Sequence, residues 1–328
     1  MPPDEIELVL SPLAAPTTHG YAAPIAHRAV AGFDGRMRPR PVRGPWRAAA
    51  VTSFLVFCVG WLTGCAVDRA ASNPGSTGPP TVGPGEITVR VLQMNLCNSG
   101  RADCYSGGRA VSMAAALIHH HRPEMVSLNE VCRDDVGVLK QAMSTTFPAA
   151  AVASAFKSAE DRPTQAPVRC HNGQQFGNGV LAVVRSPAHG FRGYSGVYPV
   201  QDLNDPEERV WVCVDLATQF SACTTHTAST STTIALAQCR YMLNSAVSMM
   251  SGRDGGDSII LGADLNLAAR GSPSPQSCLP RGYQRTDDGA LQHVVVSPGI
   301  GVRSHSAIDM HDTTDHPGLL VEVVLSRH

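Results

Sequence analysis

The sequence predicts a four-layer α/β/β/α sandwich, with two mostly antiparallel sheets face to face and helices on the outer faces. Strand-like segments outnumber helical ones, and the helical segments fall between groups of strands. No internal repeat is present, which removes solenoids and propellers. The chain has 328 residues and is 43% hydrophobic, enough for one domain of about 200–250 residues plus extra segments.

Ile87 to Leu96 alternates apolar and polar residues, the period of a strand. Arg109 to His121 reads as a helix that ends before Pro123. Glu124 to Val131 is a short buried strand, and Asp135 to Phe147 a second helix. Ala150 to Phe156 reads as a strand and residues 157–178 as a polar loop. Gly179 to Arg185 and Gly193 to Val200 are strands, and Arg209 to Leu216 with Phe220 to Thr227 form a hairpin. Ser231 to Met250 is a long helix whose apolar positions, Ile234 to Met250, belong to the core. Strands follow around Ile259, Val294, Val302 and Val321.

The chain carries a formal net charge of -1. Six of its 26 basic and four of its 27 acidic residues precede residue 66, which leaves residues 66–328 three charges negative. A tight nucleic-acid binder usually shows a basic excess, so this balance argues against a dedicated DNA-binding enzyme.

Residues 1–47 are a basic N-terminal segment, expected to be disordered or to reflect a mis-assigned start. Residues 48–65 are an apolar run behind Arg36, Arg38, Arg40, Arg43 and Arg47, the layout of a signal peptide. The run ends in Leu62-Thr63-Gly64-Cys65, which resembles the lipobox of bacterial lipoproteins. That resemblance implies that Cys65 becomes a lipidated N-terminus on the outer face of the cell membrane. An uncleaved transmembrane helix is the alternative, because the run is near the minimum length for a span. Residues 1–36 are a long preamble for a signal peptide, so Met37 is the expected start. Residues 66–86 form a flexible linker, rich in Ser, Pro and Gly from 71 onward, and residues 87–328 the folded domain.

Of ten cysteines, Cys58 and Cys65 lie in the N-terminal segment. The other eight contain no CxxC pair, which speaks against a zinc ribbon, and their even number in an exported domain suggests up to four disulfides. Cys97–Cys104 and Cys213–Cys223 are locally feasible.

Ser258 to Asn266 ends a buried strand in Asp264-Leu265-Asn266, which puts a carboxylate and a carboxamide on one face. Thr314-Asp315-His316-Pro317 precedes another apolar strand. A carboxylate and an amide side by side suit a water and a phosphoryl oxygen near a hard cation. An Asx-type turn ending the strand is the plainer reading of the first pair.

In order along residues 87–328, Asn95 (VLQMNLC), Glu130 (SLNEV), Asn178 (FGNGV), His226 (CTTHTAS), Asp264 and Asn266 (GADLN), and Asp315 and His316 (TTDHP) resemble the endonuclease/exonuclease/phosphatase superfamily, with its DNase I-like fold. The resemblance implies a metal-dependent phosphoesterase using Mg²⁺ or Mn²⁺. Asn95, Glu130 and Asp315 are its expected metal residues. Asp264 would orient and deprotonate the attacking water, and Asn266 would hold that water or a phosphoryl oxygen. His226 and His316 would donate to phosphoryl oxygens, and Asn178 would orient His226. One departure stands out. The family usually carries an aspartate that supports the final histidine, and here Gln292 occupies that place, expected to accept a hydrogen bond from His316. Asp287 and Asp288 lie near enough in sequence to compensate.

His119-His120-His121, His171 and His293 are expected to be structural or solvated. The expected substrate is a phosphodiester, in nucleic acid or a phospholipid head group of the sphingomyelin kind, with a slight tilt to lipid or small phosphoesters. The only membrane contact is the anchor, no obligate protein partner is evident, and a monomer is expected. The competing class is a catalytically weakened surface module that binds a phosphorylated ligand, for which Gln292 is the sole support.

Overall fold

A computed structural model describes residues 86–185, 190–217, 219–251 and 258–326. The expected signal peptide, Cys65 lipidation site, start at Met37 and linker up to residue 85 lie outside these residues, and Glu86, expected to end the linker, already belongs to the first strand.

The chain begins with β1 (Glu86–Asn95), α1 (Arg109–His121), β2 (Met125–Cys132), α2 (Arg133–Thr146) and β3 (Ala151–Ser158). Two short strands follow, β4 (Glu160–Asp161) and β5 (Ala166–Pro167), then β6 (Phe176–Val184) and β7 (Arg192–Val197). Next come β8 (Glu207–Glu208), β9 (Val210–Asp215), β10 (Ser221–His226), α3 (Thr232–Tyr241) and α4 (Val247–Ser251). The chain closes with β11 (Ile259–Asp264), β12 (Gln284–Asp287), β13 (Gln292–Val296), β14 (Ile300–Ile308) and β15 (Gly318–Ser326).

One sheet has the order β14-β15-β1-β2-β6-β3 and the other β12-β13-β11-β10-β9-β7. Each holds one parallel pair, β1 with β2 and β10 with β11; the other neighbours are antiparallel. Each parallel pair needs a crossover, and helices supply it: α1 in the first sheet, α3 and α4 in the second.

Strand periodicity sorts the core into layers. Val89 and Val91 of β1 point between the sheets with Val180 of β6, Val212 of β9 and Ile260 of β11. Leu92 and Met94 point the other way, onto Leu117 and Ile118 of α1 and Leu139 of α2. Leu261 and Ala263 of β11 likewise face Ala235 and Cys239 of α3 on the outer side of the second sheet. The four-layer sandwich is therefore as predicted.

Three local expectations need correction. The polar loop at 157–178 contains β4 and β5, which pair with β8 in a small third sheet. Two-residue strands carry no periodicity to read. β12 escaped notice because Gln-Arg-Thr-Asp offers no apolar alternation at a sheet edge. The helix over 231–250 is not one α-helix: a π-helical turn, Met242–Ala246, separates α3 from α4.

Four disulfides close loops: Cys97–Cys104, Cys132–Cys170, Cys213–Cys223 and Cys239–Cys278. Cys213 and Cys223 are register partners on β9 and β10, so that bridge joins adjacent strands of the predicted hairpin.

Candidate active site

Along the inward face of the central strands, apolar side chains give way to polar ones towards one end of the sandwich. On β1 the series Val89, Val91 continues as Gln93, Asn95. On β2 Met125 is followed by Ser127 and Asn129, on β10 Ala222 by Thr224 and His226, and on β11 Ile260 by Gly262 and Asp264. Asn178 is the third residue of β6, and Gln292 opens β13. Asp264, Gln93, Asn129 and Gln292 are fully buried. Buried polar groups of this kind must find partners.

They find one another. Asn95 Nδ2 donates to Glu130 Oε1 at 2.8 Å and to Asp264 Oδ2 at 3.1 Å. Gln292 Nε2 donates to the same Asp264 oxygen at 2.7 Å. The Asn266 backbone N–H donates to Asp264 Oδ1 at 3.0 Å, closing an Asx-type turn. The turn and the expected acidic site thus coexist. Burial pushes the Asp264 carboxyl up, but His226, His316, the Asn95 amide and the Asn266 N–H outweigh it and hold it below the usual carboxylate range. Asp264 is therefore an ionised carboxylate at neutral pH.

Beneath it lies a network of amides. Gln93 Nε2 donates to Asn129 Oδ1 at 2.6 Å and to Gln292 Oε1 at 2.8 Å, while Ser127 Oγ donates to Gln93 Oε1 at 2.5 Å. Asn129 Oδ1 also receives the Asp264 backbone N–H at 2.9 Å. These bonds tie β1 and β2 of the first sheet to β11 and β13 of the second.

Glu130 reaches the site through a β-bulge. The register of β2 against β6 shifts between Leu128 and Val131, and Glu130 takes a left-handed φ of 54°. Cys97 (φ 44°) and Asn266 (φ 47°) are left-handed as well. Backbone strain of this type costs about 1–3 kcal/mol per residue and collects at functional sites.

His226 Nε2 lies 4.0 Å from Glu130 Oε1, and His316 Nε2 lies 3.6 Å from Asp264 Oδ2 and 3.8 Å from Asp315 Oδ1. Burial lowers the pKa of His226, and the Arg209 guanidinium lowers it further. All eight expected residues except Asn178 therefore line one connected cluster.

Three expected roles change. Asn178 does not hold His226: its Nδ2 donates to the Val210 carbonyl at 3.2 Å and its Oδ1 receives Asn129 Nδ2 at 3.0 Å, so it braces Asn129 one layer deeper. Arg209, whose Nη1 lies 3.0 Å from His226 Nδ1, holds the ring instead. Gln292 is bonded to Asp264 and Gln93 rather than to His316, because its place opposite Asp264 in the β11–β13 register points it there. Asp287 pairs with Arg285 at 2.6 Å, and Asp288 Oδ1 accepts the Ala290 and Gln292 N–H groups, so neither takes over a role at His316.

The oxygen donors Glu130, Asp264 and Asp315 suit a hard divalent cation. Cys97 and Cys104 lie close to Asp315 but are joined to each other, so no thiolate enters the set. Asn95 Oδ1 accepts the Cys97 N–H at 3.1 Å. Its amide thus faces the two carboxylates with nitrogen, and ligation through oxygen would require the amide to turn over.

The family model of the Endonuclease/Exonuclease/phosphatase family matches residues 106–316, which hold every site residue from Glu130 to His316. The chain belongs to this family. Hydrolysis of phosphoester bonds is the chemistry common to it, in phosphatases and nucleases alike. A comparison with curated proteins finds no match.

Solved structures of the family share the fold. An endonuclease/exonuclease/phosphatase family protein from Bacteroides thetaiotaomicron aligns with a TM-score of 0.53 at 11% identity, over 74% of this chain and 99% of that one. The human Nocturnin catalytic domain with bound sulfate aligns at 0.53 and 15%, over 72% and 93%. The mannosyl-6-phosphatase of Bacteroides thetaiotaomicron VPI-5482 aligns at 0.50 and 12%, over 72% and 99%.

Within the family site, sequence reasoning missed Gln93, Ser127, Asn129, Thr224 and Arg209. The first four carried a signal. Each is a polar residue on the inward alternation of an otherwise apolar strand. Arg209 carried none, since it opens the strand of the expected hairpin directly after Glu207 and Glu208, where an arginine reads as a solvated strand end.

Proposed function

We propose that the chain is a divalent-metal-dependent phosphoesterase that works outside the cytoplasm on a lipid anchor at Cys65. The observation that carries the catalytic part is Asp264. This fully buried, ionised carboxylate takes hydrogen bonds from Asn95, Gln292 and Asn266, and it lies beside His316 with Glu130 one amide away. The anchoring part rests on the signal-peptide layout and the Leu62-Thr63-Gly64-Cys65 lipobox.

Glu130 and Asp315 would hold Mg²⁺ or Mn²⁺. A cation held there would supply charge neutralisation at phosphorus and ease departure of the leaving oxygen. Asp264 orients the attacking water and accepts its proton. His316 and His226 donate hydrogen bonds to the phosphoryl oxygens as charge builds on them. Asn266, with its Nδ2 held by the Thr227 carbonyl at 2.8 Å, keeps the turn that presents Asp264. The acidic balance after residue 65 favours a lipid head group or a small phosphoester over long nucleic acid.

The test incubates the purified chain with plasmid DNA, RNA, sphingomyelin and bis-p-nitrophenyl phosphate, with Mg²⁺ and with EDTA. Cleavage of at least one substrate that EDTA abolishes is expected. Signal on none would favour the module that only binds a phosphorylated ligand. Cys65→Ser should abolish diacylglycerol labelling of the chain in cells, and persistent labelling would exclude that residue as the anchor.

A further inference from the structure

We propose that Arg209 fixes His226 in the tautomer that carries its proton on Nε2, and so makes it a hydrogen-bond donor into the site. A guanidinium has N–H groups and no acceptor. The ring nitrogen 3.0 Å from Arg209 Nη1 is Nδ1, which must therefore offer its lone pair. The proton of the uncharged ring then sits on Nε2, the nitrogen that faces Glu130 at 4.0 Å.

Arg209 is itself firmly held. It is 5% exposed, and its Nη2 donates to Asp205 Oδ2 at 2.8 Å and to Ser229 Oγ at 3.3 Å. Its Nη1 also lies 3.2 Å from Glu207 Oε1. Asp205 compensates the buried cation, joined by Glu207 when it is ionised, its pKa being pushed up to about 7 by burial, and together they keep the guanidinium in place as a fixed donor.

The molecule contains a second copy of the arrangement, and there the outcome can be read directly. His293 Nδ1 lies 2.9 Å from Arg285 Nη1, while His293 Nε2 lies 2.8 Å from the Leu267 carbonyl oxygen. A carbonyl only accepts, so Nε2 of His293 carries the proton and Nδ1 accepts from the arginine. At His226 the same clamp leaves Nε2–H aimed at the site, where an oxyanion such as a phosphoryl oxygen can receive it. That use rests on the phosphoesterase reading; the tautomer does not. Arg209 is thus a positioning residue acting through His226.

The full chain, with ¹⁵N-labelled histidine and EDTA but no substrate, is examined by long-range ¹H–¹⁵N spectroscopy at neutral pH. A His226→Gln sample assigns the ring. The expected spectrum shows a protonated Nε2 and a bare Nδ1; a wild-type ring protonated on Nδ1 would overturn the proposal. In Arg209→Gln, whose amide oxygen can accept, the Nδ1–H form should appear, and Arg209→Lys should retain the wild-type form. An Arg209→Gln ring identical to wild type also counts against the clamp. On a cleaved substrate, Arg209→Gln should lower kcat by up to the ~10²–10³-fold typical of losing one transition-state donor, with little change in KM, and Arg209→Lys should recover most of it. If Arg209→Gln does not fold, the wild-type spectrum still decides. The expected tautomer in a chain that cuts no phosphoester would support the clamp and sink only the proposed function.

Discussion

Asp264 receives donors from three directions, and this explains why a glutamine can stand at position 292. The Gln292 carboxamide gives its N–H to Asp264 and takes one from Gln93, so both ends are used without adding a second negative charge. A carboxylate at 292 would lie against Asp264 in a fully buried place, where two like charges cannot both ionise. Gln292→Asp is therefore expected to lower kcat at neutral pH at least tenfold, on the scale of acid–base residues worth ~10²–10⁴. Steady-state rates across pH would check this, and a gain in activity would show that His316, rather than Asp264, is the partner that matters. His316→Gln removes the proposed phosphoryl donor at the site rim and should cost ~10²–10³ in kcat. Unchanged kinetics in a folded His316→Gln protein would remove His316 from the mechanism.

Among the strands, β11 carries a tight constraint beside the site. A Cβ added to Gly262 would overlap the Ser127 side chain and come within 2.9 Å of Gln93 Oε1, at the level where the amide network joins the sheets. Gly262→Ala should destabilise the fold by ~1–3 kcal/mol and disturb Asp264 two residues on; thermal unfolding with a parallel activity assay measures both. β13 contributes a pH effect through His293, which is buried and bonded to the segment that follows Asp264 and Asn266. Burial lowers its pKa against the opposing Leu267 bond, and Arg285 lowers it further, from 6.5 to about 4. Between those values the unfolded chain binds a proton that the folded chain does not. This stability is fully present above pH 6.5 and is lost as pH falls towards 4. His293→Gln should flatten that part of the stability–pH curve, by on the order of 3 kcal/mol. Denaturant titrations at several pH values would show it, and an unchanged slope would mean that other groups govern acid unfolding.

At the scale of the whole fold, four disulfides and three apolar layers among the described residues hold the frame on which the site is built. Cys239–Cys278 ties α3 to the turn at Pro275–Cys278 across a sequence separation of 39. Replacing both cysteines with serine should lower stability by ~2–4 kcal/mol. Activity should persist at low temperature, because the bridge belongs to the outer cluster rather than to the inward face of the strands. A denaturant midpoint equal to wild type would show that the bridge contributes nothing.

Much of this was legible beforehand because it is local. Alternation along Ile87 to Leu96 and the apolar run from Ser258 located two of the strands, residue type with spacing marked Asp264, Asn266 and the Asp315-His316 pair, and the family resemblance added Glu130. The partners were not legible, because hydrogen bonds form between residues far apart in the chain. Gln93 meets Gln292 across 199 positions, and Asn95 meets Asp264 across 169. Whether Gln292 faced His316 or Asp264 depended on strand register, and whether Asn178 or Arg209 held His226 depended on which side chain the packing brought to Nδ1. The sequence by itself determined the layers and marked Asp264, Asn266 and the Asp315-His316 pair, since periodicity and residue type are properties of short segments. Only the tertiary structure decided which amide serves which carboxylate and which nitrogen of His226 faces Glu130, because those choices are made where two sheets meet.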